Sequence, residues 1–165
     1  MNSTLKNVII KFIIPVAVII LLGKLSVWYA LAALILYIAA ILYLSRVTIY
    51  SIIGTRNYGL GNMEKAIEWF SKAYNSKKAS VQASLSYAYL LLKNGDLVKS
   101  EEILQKLINE NQNSPDLPKI KANMSLVLWK KGKIGEAVEM LEKVMETYKT
   151  TSVYGSLGYL LILNG

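Results

Sequence analysis

"GNMEKAIEWFSKAY", residues 61–74, sets small, large and charged residues at the intervals of an amphipathic helix. Gly61 lets the chain turn sharply before it, and Asn62 is a natural N-cap. Ala66 and Phe70 stand four residues apart and so share a face, where the small residue admits a neighbouring helix and the large one fills the gap beside it. Glu64, Glu68 and Lys72 repeat at the same interval, which is ordinary surface pairing on a solvated face.

The pattern recurs along the chain. Gly61, Gly95, Gly132 and Gly165 are spaced by 34, 37 and 33 residues. Five positions beyond the first three glycines stand Ala66, Ser100 and Ala137, and four positions further stand Phe70, Leu104 and Leu141. Asp96 takes the capping place of Asn62. The three additional residues of the second interval are assigned to "NENQNSPDLPK", read as a loop with Asp116 in its turn. A generic helical bundle with evenly spaced glycines would not keep register at the small and large positions as well. No such unit buries its apolar face alone, so about three stacked units are needed for stability.

These units resemble the tetratricopeptide repeat family, whose element is a 34-residue helix–turn–helix. The family pattern of aromatic-x2-Leu-Gly-x2-Tyr, then Ala-x3-Phe, reads here as Tyr50, Ile53, Gly54, Ala66 and Phe70, with Asn57 in place of the tyrosine. The last half-unit gives Tyr154, Leu157 and Gly158, while the middle units substitute Tyr87-Ala88 and Met124-Ser125 for Leu-Gly. The resemblance covers residues 47–165 and implies an all-α solenoid of about three and a half units, at 47–80, 81–114, 118–151 and 151–165. It also implies a concave surface lined by the first helix of each pair. The register then names Ser51, Thr55 and Tyr58, then Leu85, Tyr89 and Leu92, then Ala122, Leu126 and Trp129, and finally Tyr159 as groove positions. The family's clamp of lysine, arginine and asparagine around a terminal carboxylate is not carried over, because the matching positions are mostly apolar or small. Asn123 and Lys119 are its only polar remnants. The expected partner is a protein or peptide segment with apolar anchors. The competing reading makes Tyr89 and Trp129 plain helix-packing residues.

Ahead of the repeats the chain changes character. Residues 1–45 carry three lysines and no acid, whereas residues 46–165 carry sixteen Lys or Arg against eleven Asp or Glu. Val8 to Leu22 and Leu25 to Leu44 are apolar runs flanking Gly23-Lys24, and the second has the length a helix needs to cross ~30 Å of hydrocarbon. Lys11 and Pro15 interrupt the first. The expectation is an N-terminal transmembrane helical hairpin over residues 1–45, turning at Gly23-Lys24, with Trp28, Tyr43 and Tyr50 at the interfaces and lipid as a partner. One span with a surface-lying first helix, or a signal peptide cleaved near "ALA" at 30–32, are the alternatives. Lys6, Lys11, Arg46, Arg56 and Lys65 outweigh Lys24, which places both termini and the repeats on the cytoplasmic side of the cell membrane.

The chain has no histidine and no cysteine. That removes the commonest general base, the commonest metal ligands and any disulfide. "GTRNYGLG" lacks the Gly-Lys-Ser/Thr ending of a phosphate loop. No catalytic centre, metal site or cofactor is expected. Nucleic acid is not expected either, because acids are interleaved with the bases throughout. Lys77-Lys78 and Lys130-Lys131 read as solvated helix ends, with acidic lipid headgroups as the alternative. The final "VYGSLGYLLILNG" is apolar nearly all round, although a solenoid's outermost helix is usually polar outside. Either the array is longer, or that helix is covered by a second copy, the hairpin or a partner. Two functional readings result. One is a membrane-anchored interaction module, the other a structural or assembly subunit whose working interface is the hairpin.

Overall fold

A computed structural model describes residues 7–76 and 79–164, so Lys6, Lys77, Lys78 and Gly165 lie outside the described residues. The chain divides into two units, Met1–Arg46 and Val47–Gly165.

In the first unit a π-helical turn, Ile9–Ile13, leads into α1 (Ile14–Leu25), and α2 (Val27–Leu44) packs back along it. Pro15 lies in the first turn of α1 and has no N–H to give to the carbonyl of Lys11, one turn back. The Tyr37 hydroxyl donates to that carbonyl instead, at 2.9 Å. The half-buried seam consists of Pro15, Ile19 and Leu22 against Ala30, Ala33 and Tyr37.

The reversal differs from the expectation. Gly23 and Lys24 stay helical within α1, and the chain turns at Ser26, whose φ of −166° and ψ of 140° make it a single extended residue. Ser26 also caps α2, its Oγ accepting from the Trp28 N–H at 3.3 Å. A serine before an apolar helix is the stronger boundary signal. Among the described residues α2 is the one helix long and apolar enough to cross a membrane, with 18 residues of mean hydropathy 2.3 and none of them buried. At 12 residues α1 does not reach that length.

The second unit continues with α3 (Arg46–Gly59), α4 (Met63–Tyr74), α5 (Val81–Lys93), α6 (Leu97–Glu110), α7 (Leu117–Lys130), α8 (Ile134–Thr147) and α9 (Thr151–Asn164). From α4 onward each helix packs on the next, and no strand occurs among the described residues. The chain is all-α, and this part is a solenoid of helical pairs.

One turn is used three times. Gly61, Gly95 and Gly132 hold φ of 78°, 89° and 79°, the left-handed region. At each, the glycine N–H and the next N–H reach back to the end of the preceding helix. Gly61 donates to Tyr58 O and Asn62 to Asn57 O, Gly95 to Leu92 O and Asp96 to Leu91 O, Gly132 to Trp129 O and Lys133 to Leu128 O. This is the Schellman closure of a helix C-terminus, which a side chain disfavours by roughly 1–2 kcal/mol. Gly95→Ala should therefore destabilise the solenoid by about that amount. Gly135→Ala, at a helical glycine where a Cβ would meet nothing within 4 Å, should stabilise it by about 0.5–1 kcal/mol. Urea denaturation of the two variants reads the opposite signs directly.

Inside the turns the small and large positions meet. A Cβ on Gly54 would lie 2.7 and 2.8 Å from two ring carbons of Phe70, so only glycine lets α3 approach α4 this closely. In the next unit the Ser100 hydroxyl donates to the Ala88 carbonyl at 2.8 Å, with both residues buried. Leu104 and Leu141 are 1% exposed, at the centre of a core that runs from Ala66 to Leu160. Asp96 caps α6 by accepting from the Lys99 N–H at 3.1 Å, while Asn62 occupies its cap position without a side-chain bond. The additional residues of the second interval enter helices: α6 and α7 have 14 residues each, against 12 in α4 and 13 in α5, and α7 begins at Leu117 beside Pro118. Tyr50 of α3, half-buried, packs its ring 5.7 Å from that of Trp69 on α4.

Candidate functional site

The first helices α5 and α7 approach each other directly, which places them on the closely spaced, inner side of the solenoid. Two connected depressions open along that side. The first, of about 400 Å³, is lined by Tyr89, Leu92, Lys93, Gly95, Leu97, Leu126, Trp129 and Lys130. The second, of about 350 Å³, is lined by Leu126, Trp129, Ser152, Gly155, Ser156, Tyr159 and Leu160. Leu126 and Trp129 form the wall common to both, and the Trp129 and Tyr159 rings meet edge to face at 5.5 Å and 88°.

The helical period explains who faces inward. On α5, Tyr89 and Lys93 stand one turn apart, and on α7 Leu126 and Lys130 do the same. Tyr89 and Trp129 are half-buried and Tyr159 is exposed. Lys130 Nζ sits 4.6 Å from the Trp129 ring centroid and Lys93 Nζ 5.7 Å from that of Tyr89. The result is an apolar floor with ammonium groups at its rim.

Of the positions named from the register, the structure gathers Tyr89, Leu126, Trp129 and Tyr159 on this surface, with Leu92, 7% exposed, backing the floor from the core. Leu85 is different: at 3% exposed it is core and offers no area to a ligand. It sits on a helix held between neighbours, where an inward and a core-facing leucine read alike in sequence. Tyr58 is exposed at the end of α3 and is not part of these depressions. Ser51 and Thr55 are tied to their own helix by bonds to Val47 O and Ser51 O. Asn123 donates to Lys119 O within α7, and Lys119 donates to the Gln82 side chain on α5. Gly158 is helical, and a Cβ there would meet nothing within 4 Å, so the close approach seen at Gly54 is not repeated among the described residues.

Sequence reasoning missed Lys93 and Lys130 at the rim. The signal was present, because each follows a groove aromatic by four residues or one. A larger depression of about 570 Å³ lies elsewhere, around Tyr74, Ser84, Lys106 and Glu110, away from the aromatic floor. Shifted carboxyls lie on the second helices. Glu68 and Glu139 are held below the usual range by hydrogen bonding to Lys72 and Lys143, one turn on. No group of three His, Cys, Asp or Glu side chains is gathered to hold a metal among the described residues.

Family models described as tetratricopeptide repeat match residues 58–124 and 118–150. No curated protein sequence matches the chain. Among solved structures, the TPR2AB domain of yeast Sti1 in its pHSP90 complex superposes with a TM-score of 0.63 at 16% identity, over 73% of this chain and 48% of that one. The chain thus spans about half the length of that Sti1 chain. The second TPR domain of human RPAP3, solved by NMR with the HSP70 peptide SGPTIEEVD, gives a TM-score of 0.56 at 18% identity, over 69% of this chain and 97% of that one. At these identities the likeness is one of fold.

Proposed function

Because residues 58–150 are tetratricopeptide repeats, we propose that the chain is a membrane-anchored interaction module that seats a protein or peptide segment on the inner face of its solenoid. The single observation that carries this is the open aromatic floor of Tyr89, Leu126 and Trp129, continued to Tyr159. Half-buried aromatic rings held by a rigid scaffold are the residues on which interface energy concentrates. The two neighbouring solved structures are tetratricopeptide domains in complexes, one with pHSP90 and one with an HSP70 peptide, which supports a partner of the same general kind. The anchor in this reading is the hairpin, with α2 crossing the bilayer of the cell membrane and the repeats on the cytoplasmic side. Its support is an 18-residue apolar helix with no residue buried.

The same exposure favours a second reading, in which the hairpin is the working interface of a membrane assembly and the repeats steady it. One experiment separates them. Native membranes are solubilised in mild detergent, and proteins co-purifying with three forms are compared: wild type, a Tyr89→Ala, Trp129→Ala form with unchanged helicity, and a form whose hairpin is replaced by an unrelated membrane helix. The groove reading expects one partner to be lost from the groove variant, by about 2 kcal/mol or more of binding energy, and retained with the foreign anchor. Loss with the foreign anchor and retention with the groove variant would establish the assembly reading instead.

A further inference from the structure

The charges of the solenoid are sorted by layer. The first helices α3, α5, α7 and α9 carry Arg46, Arg56, Lys93, Lys119, Lys121 and Lys130 and no carboxylate. Every glutamate lies on a second helix, α4, α6 or α8. The ion pairs follow the same division. Lys72, Lys106, Lys131, Lys133 and Lys143 are each paired with a glutamate of a second helix. Among the described residues Lys93, Lys119 and Lys130 are in no ion pair. The inner face therefore presents uncompensated positive charge around an apolar floor, and a concave surface of one sign concentrates ligands of the other.

Resting on the groove reading above, we propose that the segment bound there is acidic, with carboxylate side chains on both sides of one large apolar anchor. The anchor sits on the floor between Tyr89 and Trp129, bounded by Leu92, Leu97 and Leu126. Lys93 stands at the α5 rim of that cavity and Lys130 at the α7 rim, so carboxylates preceding and following the anchor each meet an ammonium. Lys119, linked to Gln82 of α5, extends the positive stripe along the same face. The cavity lining contains no Asn, Gln or Arg to fork a terminal carboxylate. Two lysines on opposite rims, each a single point charge, suit two separate side-chain carboxylates flanking the anchor better than one terminal group gripped at both oxygens.

The test is a selection of random displayed peptides on the full chain in detergent micelles, followed by binding of the selected sequences as synthetic amidated peptides. The expected result is enrichment of Asp and Glu on both sides of a Trp, Phe or Leu. Affinity should fall about tenfold when the peptide's carboxylates become amides, and by a similar factor with Lys93→Gln, Lys130→Gln protein of unchanged helicity. Selected peptides that are neutral or basic yet depend on Trp129 would overturn the acidic assignment and leave the groove reading in place. Selected peptides indifferent to both Tyr89→Ala and Trp129→Ala would remove the groove reading itself. Binding of phosphatidylserine vesicles through Lys93 and Lys130, with no peptide enriched, would assign the cations to a lipid surface and overturn the proposal.

Discussion

Gly54→Val is expected to lower the unfolding free energy of the solenoid by about 2–3 kcal/mol, the upper range for forcing extra methyl groups into a packed core. The site has no slack. The first side-chain carbon alone would lie 2.7 Å from Phe70 Cδ2 and 2.8 Å from Cε2, and the ring is 5% exposed and cannot swing into water. A small gain in helix propensity offsets part of the cost, since glycine in a helix interior is worth roughly 0.5–1 kcal/mol less than alanine. The clash exceeds that gain. A unit of this size should melt about 5–10 °C lower. The cause can be isolated by a cycle with Phe70→Leu, which shortens the opposing side chain. Coupling of at least about 1 kcal/mol between the two sites is expected, and additive effects would show that the contact is not the source of the loss. Gly158→Ala is the matched control, with no atom within 4 Å of the new carbon.

Leu104→Ala should cost more, about 2–5 kcal/mol, as a cavity-forming truncation of a leucine that is 1% exposed. The manner of unfolding should change as well. In a stacked array each unit is stabilised by its neighbours, so a weak middle unit separates what stood on either side of it. Hydrogen exchange should show protection lost first in α6 and in the helices packed on it, α5 and α7, with α3 and α4 retaining theirs longer. In urea the transition should broaden. A uniform, two-state loss across all helices would mean that the units fold as one block and that nearest-neighbour reasoning does not apply to so short an array.

How far the sequence disclosed this depends on which residues are asked. Gly61, Gly95 and Gly132 announce their turns because left-handed backbone is nearly closed to other residues, so chemistry and position coincide. Ala66 with Phe70 and Ser100 with Leu104 are legible too, since a small residue four positions before a large one on the same helix face leaves few other uses. Ser26 was not seen as the hairpin's corner, because Gly23 and Lys24 together look like a better turn than one serine. Neither breaks a helix that is stabilised along its length by a packed partner. Leu85 was assigned to the inner face and lies in the core, because α5 is apolar on several sides and its period does not say which side meets solvent. Tyr89 and Trp129 were named together from the register alone. Lys130 reads in sequence as a helix-end charge and Lys93 carries no signal of its own, since only the layering of first and second helices shows that their ammonium groups lack the glutamates that pair with Lys72 or Lys143.

The bond from Tyr37 to the Lys11 carbonyl gives the N-terminal pair a mechanical character. Its two arms are joined covalently at Ser26 and clasped again where Tyr37, midway along α2, meets the start of the other arm, so a scissoring motion about the corner must first break the clasp. Water would soften that restraint by supplying another donor to the carbonyl. Hydrocarbon supplies none, and an abandoned carbonyl there costs several kcal/mol. The corner would then act as a locked joint in a bilayer and a looser one outside it, and Tyr37→Phe is the substitution that would release it.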